Sequence, residues 1–171
     1  MTNDTQSFST DASHEAPNQY LTFHLGDEVF AMDIRTVREI IQQAAMTVVP
    51  LMPNFVRGVI NLRGAVVPVI DLQSRFGRNL AVSGKKTCII IFDASREGEK
   101  MELGLLVDSV SEVIDIARTQ IEPAPQFGTT IAREFIHGMG KVDGDFIVIL
   151  EPERALNIDD MAAIAESSAA V

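Results

Sequence analysis

The sequence predicts a mainly β protein of two small lobes packed together, each an antiparallel barrel of about five strands, with a few short helices. Three observations lead there. The apolar residues come in short runs rich in Val and Ile. Hydrophobic residues make up 46% of the 171 residues, yet Trp is absent and aromatics reach only 6%. The core must therefore be aliphatic, and short aliphatic runs favour sheets. Finally, the second half of the chain repeats the first in outline.

The repeat is visible residue by residue. Phe55, Gly58 and Gly64 recur at one constant offset as Phe135, Gly138 and Gly144. At that offset Val67, Val69 and Ile70 meet Ile147, Ile149 and Leu150, and Asp71 meets Glu151. Upstream, a second constant offset relates Phe30, Ile34, Val37, Glu39, Ile41 and Pro50 to Leu103, Val107, Val110, Glu112, Ile114 and Pro123. Identities are sparse, and chance recurrence is the alternative to duplication. The shared order of glycines, proline and apolar positions favours duplication. The first lobe would span about 19–80 and the second about 85–156, with segment exchange between them an open alternative. A groove between two lobes is a favoured place to bind.

Each element has its own local reason. Residues 1–18 are rich in Ser, Thr, Asp and Asn without periodicity and predict a disordered tail. Tyr20 to Leu25 alternates as a half-buried strand, turns at Gly26-Asp27-Glu28 and returns through Val29 to Met32. Asp33 is a candidate N-cap, and Ile34, Val37, Ile40 and Ile41 have helical spacing, so a short helix is expected over 33–41. Phe55 to Leu62 and Ala65 to Leu72 flank Arg63-Gly64 as a hairpin, the Gly supplying a positive φ. Pro68 in its second strand predicts an edge or a bulge. Asp71 to Phe76 reads as one or two helical turns. Arg78 to Lys86 is a polar loop between the lobes.

Thr87 to Phe92 and Leu103 to Val107 are strands, with Asp93 to Lys100 expected as a charged loop. Asp108 to Ile114 follows. Phe135 to Lys141 and Phe146 to Leu150 form a second hairpin around Asp143-Gly144. A short helix and a frayed tail are expected over 157–171.

Net charge is −10. Such a surface repels nucleic-acid backbones and anionic lipid heads unless a local basic patch overrides it. A nucleic-acid-binding barrel also needs a basic, aromatic strand face, which is missing. Residues 1–18 have neither a basic segment nor an apolar run to act as a signal peptide, and no apolar stretch approaches a membrane span. The lone cysteine, Cys88, forms no intramolecular disulfide, which fits a reducing cytoplasm.

Catalytic constellations fail on inspection. His24 and His137 sit on separate strands without metal-ligand spacing, and His14 lies in the tail. Gly84-Lys85-Lys86-Thr87 lacks the upstream glycine and the Ser/Thr spacing of a phosphate loop. The apolar neighbours of Cys88 raise rather than lower a thiol pKa. An enzyme working in the inter-lobe groove would lack a nucleophile, a base and a metal set.

One difference between the copies stands out. The turn Arg63-Gly64 becomes Asp143-Gly144, so turn geometry recurs while charge inverts. Two readings of Arg63 follow: a binding residue at a hairpin tip, or a brace folded back on Asp71 or Glu39. Val37 likewise reads either as core or as the rim of a site.

Taken together, Phe23-His24-Leu25-Gly26, Phe30 to Ile34, Val37 to Ile40, Val49-Pro50, Gly58 to Gly64, Pro68 to Leu72, Phe76, Gly104 to Val110 and Gly138 resemble the CheW family of chemotaxis coupling proteins. The match runs from about Tyr20 to Leu156, within a domain of about 19–156. The resemblance implies two SH3-like five-stranded barrels, no enzymatic activity, no cofactor and no metal. It implies a cytoplasmic scaffold recruited to membrane arrays through its partners, tying chemoreceptors to the histidine kinase CheA. The receptor tip would lie in the inter-lobe groove, and the kinase's own CheW-like domain would contact exposed barrel ends. Receptor-side residues would map to Val37, Gly58, Arg63, Gly64, Cys88 and Val113; at Cys88 the family usually has an aliphatic residue. An adaptor in a non-motility chemosensory pathway is the alternative. The domain also ends CheA kinases and begins CheV-type proteins, and the length of this chain favours a stand-alone coupling protein.

Overall fold

The computed structural model describes residues 18–42, 45–51, 55–75, 86–96, 98–123 and 136–151. Most of the tail expected over 1–18, most of the inter-lobe loop and the expected helix over 157–171 lie outside them; Asn18, placed in that tail, opens a strand instead.

Eleven strands form two sheets. They are β1 (Asn18–Leu25), β2 (Glu28–Asp33), β3 (Val37–Ile41), β4 (Val56–Leu62), β5 (Ala65–Ile70), β6 (Cys88–Arg96), β7 (Glu99–Val107), β8 (Ser109–Ile116), β9 (Ile121–Glu122), β10 (Ile136–Val142) and β11 (Asp145–Leu150). Sheet one has six strands ordered β8-β1-β2-β11-β10-β9, and sheet two has five ordered β3-β6-β7-β5-β4. Among the described residues, helical structure is confined to α1 (Leu72–Arg75) and two three-residue 3-10 turns. No helix of the described residues is long and apolar enough to cross a membrane.

Period-two alternation assigns every strand two faces. Along β6, Cys88, Ile90 and Phe92 join a large core with Leu103 and Leu105 of β7 and with Leu21, Phe23, Phe30 and Met32 of sheet one. This core is sandwiched between the sheets. The alternate residues Ile89 and Ile91 turn the other way, onto Ile60, Val67, Val69 and Leu106. Sheet one has its own counterpart around Tyr20, Ala31, Ile116 and Ile149. Each sheet thus curls about a private core and shares a third. Phe23 and Phe30 stack across β1 and β2 with centroids 6.2 Å apart. A fully buried side chain of this size contributes about 1.5–3 kcal/mol by transfer from water.

The two sheets do not follow the two halves of the sequence. The N-terminal hairpin β1–β2 pairs with β8 and β11 from the far end of the chain. The hairpin β6–β7 pairs with β3 and β5 from the first half. The internal repeat explains this arrangement. Parallel pairing of Val69 with Gly104 in sheet two is matched by Ile149 with Ala31 in sheet one. Bulges between Val56 and Gly58 and between Ile136 and Gly138 fall at equivalent places. The isolated bridge from Thr47 to Val59 stands where β9 stands in sheet one. The segments are exchanged: each lobe takes a hairpin from one repeat and the remaining strands from the other.

Three expectations are corrected. The helix over 33–41 is a single 3-10 turn, Ile34–Thr36, followed by β3. Asp33 does cap it, its side chain accepting the Arg35 N–H. β-branched Val37, Ile40 and Ile41 then pair with β6 instead of continuing the helix, and Ile40 is 42% exposed. The charged loop over 93–100 is mostly strand, because β6 and β7 stay paired from Asp93–Glu102 out to Arg96–Glu99. Pro68 lies in an interior strand, but β7 pairing begins only at Val69, so the proline sits just outside that ladder.

Candidate functional site

Arg63 and Gly64 are the two central residues of a two-residue turn between Leu62 and Ala65, with φ of 53° and 87°. Both values are left-handed, so the turn is of type I′, whose twist matches paired strands. The Asn61 Oδ1 accepts the Gly64 N–H at 2.9 Å and helps hold it. Asp143 and Gly144 repeat the geometry at 52° and 87°. Nothing lies within 4 Å of a Cβ placed on Gly64, so backbone conformation, and not crowding, demands glycine there.

The Arg63 guanidinium lies 2.7 Å from Glu39 Oε1 on β3. β3 is at one margin of sheet two, and β4, which leads into the turn, is at the other. The ion pair therefore ties the two margins and closes the curl of the sheet. Of the two partners expected for a brace, Glu39 is the one found; Asp71 is instead held by Arg57 at 3.1 Å. The Arg63 hydrogen bond holds the Glu39 carboxyl below its ordinary value, and Glu39 raises Arg63 in turn. Arg63 nonetheless keeps 63% of its side chain exposed and remains available for a partner. Next to it, Arg38 lies 3.6 Å from both Asp93 and Glu102, extending a charged margin across β3, β6 and β7. Arg38 was not expected to take part; its spacing from those acids becomes visible only in the β3–β6–β7 register.

The other expected site residues are distributed as follows. Val37 opens β3 opposite Phe92 and packs half-buried on the shared core. Gly58 is buried in β4 at φ 153°, where a Cβ would come 2.5 Å from the Thr47 carbonyl oxygen. The glycine lets the segment carrying Thr47 bond to Val59 in both directions at 2.9 Å. Cys88 is 6% exposed, with Sγ 3.1 Å from the Lys86 carbonyl. Val113 is 46% exposed on β8. Five of the six thus belong to sheet two, and Val113 alone to sheet one.

A cavity of about 190 Å³ lies at the junction of the sheets, bounded by Tyr20, Asp33 and His137 on one side and Phe92 and Asp93 on the other. His137 is a satisfied strand histidine, its Nδ1 2.5 Å from Glu151. Sequence reasoning missed the exposed apolar pair Val48 (76%) and Leu51 (100%), the latter at φ 63°. The crowding of Pro50 and Pro53 about Leu51 was the available signal.

A two-lobed β protein with exchanged hairpins, an ion-paired margin and an exposed arginine at a turn has the makings of a docking scaffold. Residues 19–160 match the CheW-like domain, and the chain belongs to that family. It is 33% identical over 153 residues to the chemotaxis protein CheW of Klebsiella aerogenes, covering 90% of each chain. It is also 33% identical over 153 residues to that of Helicobacter pylori, covering 88% of each. Among solved structures it is similar to the scaffolding protein TtCheW of Thermoanaerobacter tengcongensis, with a TM-score of 0.71, 40% identity, and coverage of 79% of this chain and 89% of that one.

Proposed function

We propose that this protein is a non-catalytic scaffold that couples transmembrane chemoreceptors to the histidine kinase CheA in bacterial chemotaxis. The relatives it matches over nearly their whole length are chemotaxis proteins, and the solved relative is described as a scaffolding protein. The observation that carries the reading is the turn at Arg63: the guanidinium is fixed by Glu39 yet mostly exposed, and its repeat counterpart is Asp143. A planar donor fork held in this way suits carboxylates and the carbonyls at a helix end, the groups a helical receptor tip offers.

The receptor-facing surface comprises Arg63 with Val37 and Val113, supported by Gly58, Gly64 and the buried Cys88. Kinase activation would come from effective concentration and orientation, with no chemistry by the scaffold. The test is co-sedimentation of the purified protein with CheA and a receptor cytoplasmic fragment in cytoplasmic buffer. Formation of a ternary complex that stimulates kinase autophosphorylation is expected; binding to neither partner would sink the reading.

A further inference from the structure

An open cleft of about 510 Å³ lies on sheet one, between β1, the 3-10 turn after β2, the turn leading into β9, and β10. Its walls bring together Arg35, Arg118 and His137 with one carboxylate, Asp33, while Glu151, outside the lining, holds His137 Nδ1 at 2.5 Å. We propose that this cleft receives a carboxylate side chain from an acidic segment of a partner protein.

The internal repeat shows that the fold does not need these charges. At the equivalent places in sheet two, Arg35 becomes Asp108, Arg118 becomes Ala45 and His137 becomes Arg57. Arg57 is committed to the fully buried Asp71, the counterpart of Glu151. Sheet two builds the same backbone with no arginine at the Arg35 and Arg118 positions, so those two guanidiniums answer to something other than folding.

The groups are also available. Arg118 is exposed; its carbonyl accepts the Ile121 N–H, and its side chain has no hydrogen-bond or ion-pair partner among the described residues. Arg35 is clamped by both oxygens of Asp33, with Nη2 at 2.6 Å from Oδ2 and Nε at 3.1 Å from Oδ1. That clamp fixes the guanidinium plane before any ligand arrives, which lowers the entropic cost of recognition. Glu151 occupies only Nδ1 of His137.

Overall charge narrows the ligand. A chain at −10 repels polyanions at long range, so nucleic acid and anionic bilayers are disfavoured. A segment with one or two carboxylates carries far less charge than a polyanion, and the local field acts on it within a Debye length of about 8 Å at physiological salt. The Asn18 amide and the half-buried Ile121 on the cleft wall suit the backbone and stem of such a segment. The proposal is independent of receptor coupling through Arg63.

The experiment is an amide chemical-shift titration of the labelled full chain at low salt. The probes are N-acetyl-Glu-Glu-amide, its Gln-Gln counterpart and inorganic phosphate, each tested against wild type, Arg118→Gln and Lys100→Gln. Expected are saturable shifts about Arg118, Ile121 and His137 with the Glu peptide alone. Arg118→Gln should weaken binding at least about fivefold, and Lys100→Gln, the same charge change on the distant β6–β7 hairpin, by less than about twofold. Equal response to the Gln peptide, equal loss in both variants, or no saturation at the cleft would overturn the proposal. So would saturation by phosphate without the Glu peptide, which would make the cleft a phosphate site.

Discussion

Arg63 and Glu39, 2.7 Å apart, join the first and last strands of sheet two, which no backbone ladder joins among the described residues. In sheet one the equivalent residues are Asp143 and Glu112, both acidic. Among the described residues, this pair closes sheet two, while two carboxylates at the equivalent places cannot pair in the same way. Arg63→Glu sets like charges face to face, so it should leave thermal stability nearly unchanged, as exposed pairs contribute little, while weakening receptor binding. The exchanged double variant Arg63→Glu/Glu39→Arg separates two roles. Binding restored in the double variant would show that closure of the margin matters; binding still lost would show that the guanidinium at the turn matters.

The same pair has a pH signature. Arg63 holds the Glu39 carboxyl below its ordinary 4.5. A carboxyl depressed in the folded state contributes stability above its unfolded pKa and loses it as pH falls through the folded value. Closure is therefore complete at neutral pH and lost only under acid conditions. Carbon-detected titration of Glu39 should show its pKa rising toward 4.5 in Arg63→Gln. An unchanged midpoint would mean the pair does not persist in solution.

Gly58→Ala tests the crowded crossing of β4 by the Thr47 segment. A methyl group there collides with the Thr47 carbonyl and sits on a positive φ. The expected loss is about 2–4 kcal/mol in chemical denaturation. Gly64→Ala, with open space around it, should lose only the conformational part, about 1 kcal/mol.

Thr22 closes the bulge in β8, donating to the Glu112 carbonyl at 2.8 Å and accepting the Glu112 N–H at 3.1 Å. The side chain is 3% exposed. Thr22→Val keeps its shape and leaves both backbone groups without that partner, so unfolding free energy should fall by about 1–3 kcal/mol. Thr22→Ser should keep most of it.

Cys88 should react with a thiol reagent only as the protein opens. It is 6% exposed, between Lys86 and the shared core. Labelling that accelerates in parallel with denaturant unfolding is expected. Fast labelling of the native state would show that the N-terminal end of β6 separates from the core.

The two hairpin turns were legible in the sequence because their information is local: a glycine after Arg63 or Asp143, with alternating apolar residues on each side. The capping role of Asp33 was legible for the same reason. What followed Asp33 was not, since Ile34, Val37, Ile40 and Ile41 satisfy a helical period, and only the edge of β6 makes an extended segment preferable. The repeat was legible, but the placement of its hairpins was not. Equal offsets hold whether β1–β2 packs on its own repeat or on the other. In the site, Arg63 could be singled out by its contrast with Asp143. Arg38 could not, because Asp93 and Glu102 reach it through pairing between distant strands.

Hairpin exchange also sets the order in which the chain can gain structure. During synthesis β1–β2 emerges first, yet its neighbours β8 and β11 emerge only after every strand of sheet two. The β6–β7 hairpin, by contrast, finds β3, β4 and β5 already made. Sheet two can assemble on the ribosome from residues already at hand, whereas sheet one waits for the final strand. The N-terminal hairpin must meanwhile carry exposed Phe23 and Phe30, a long-range closure of the kind that slows folding and invites aggregation.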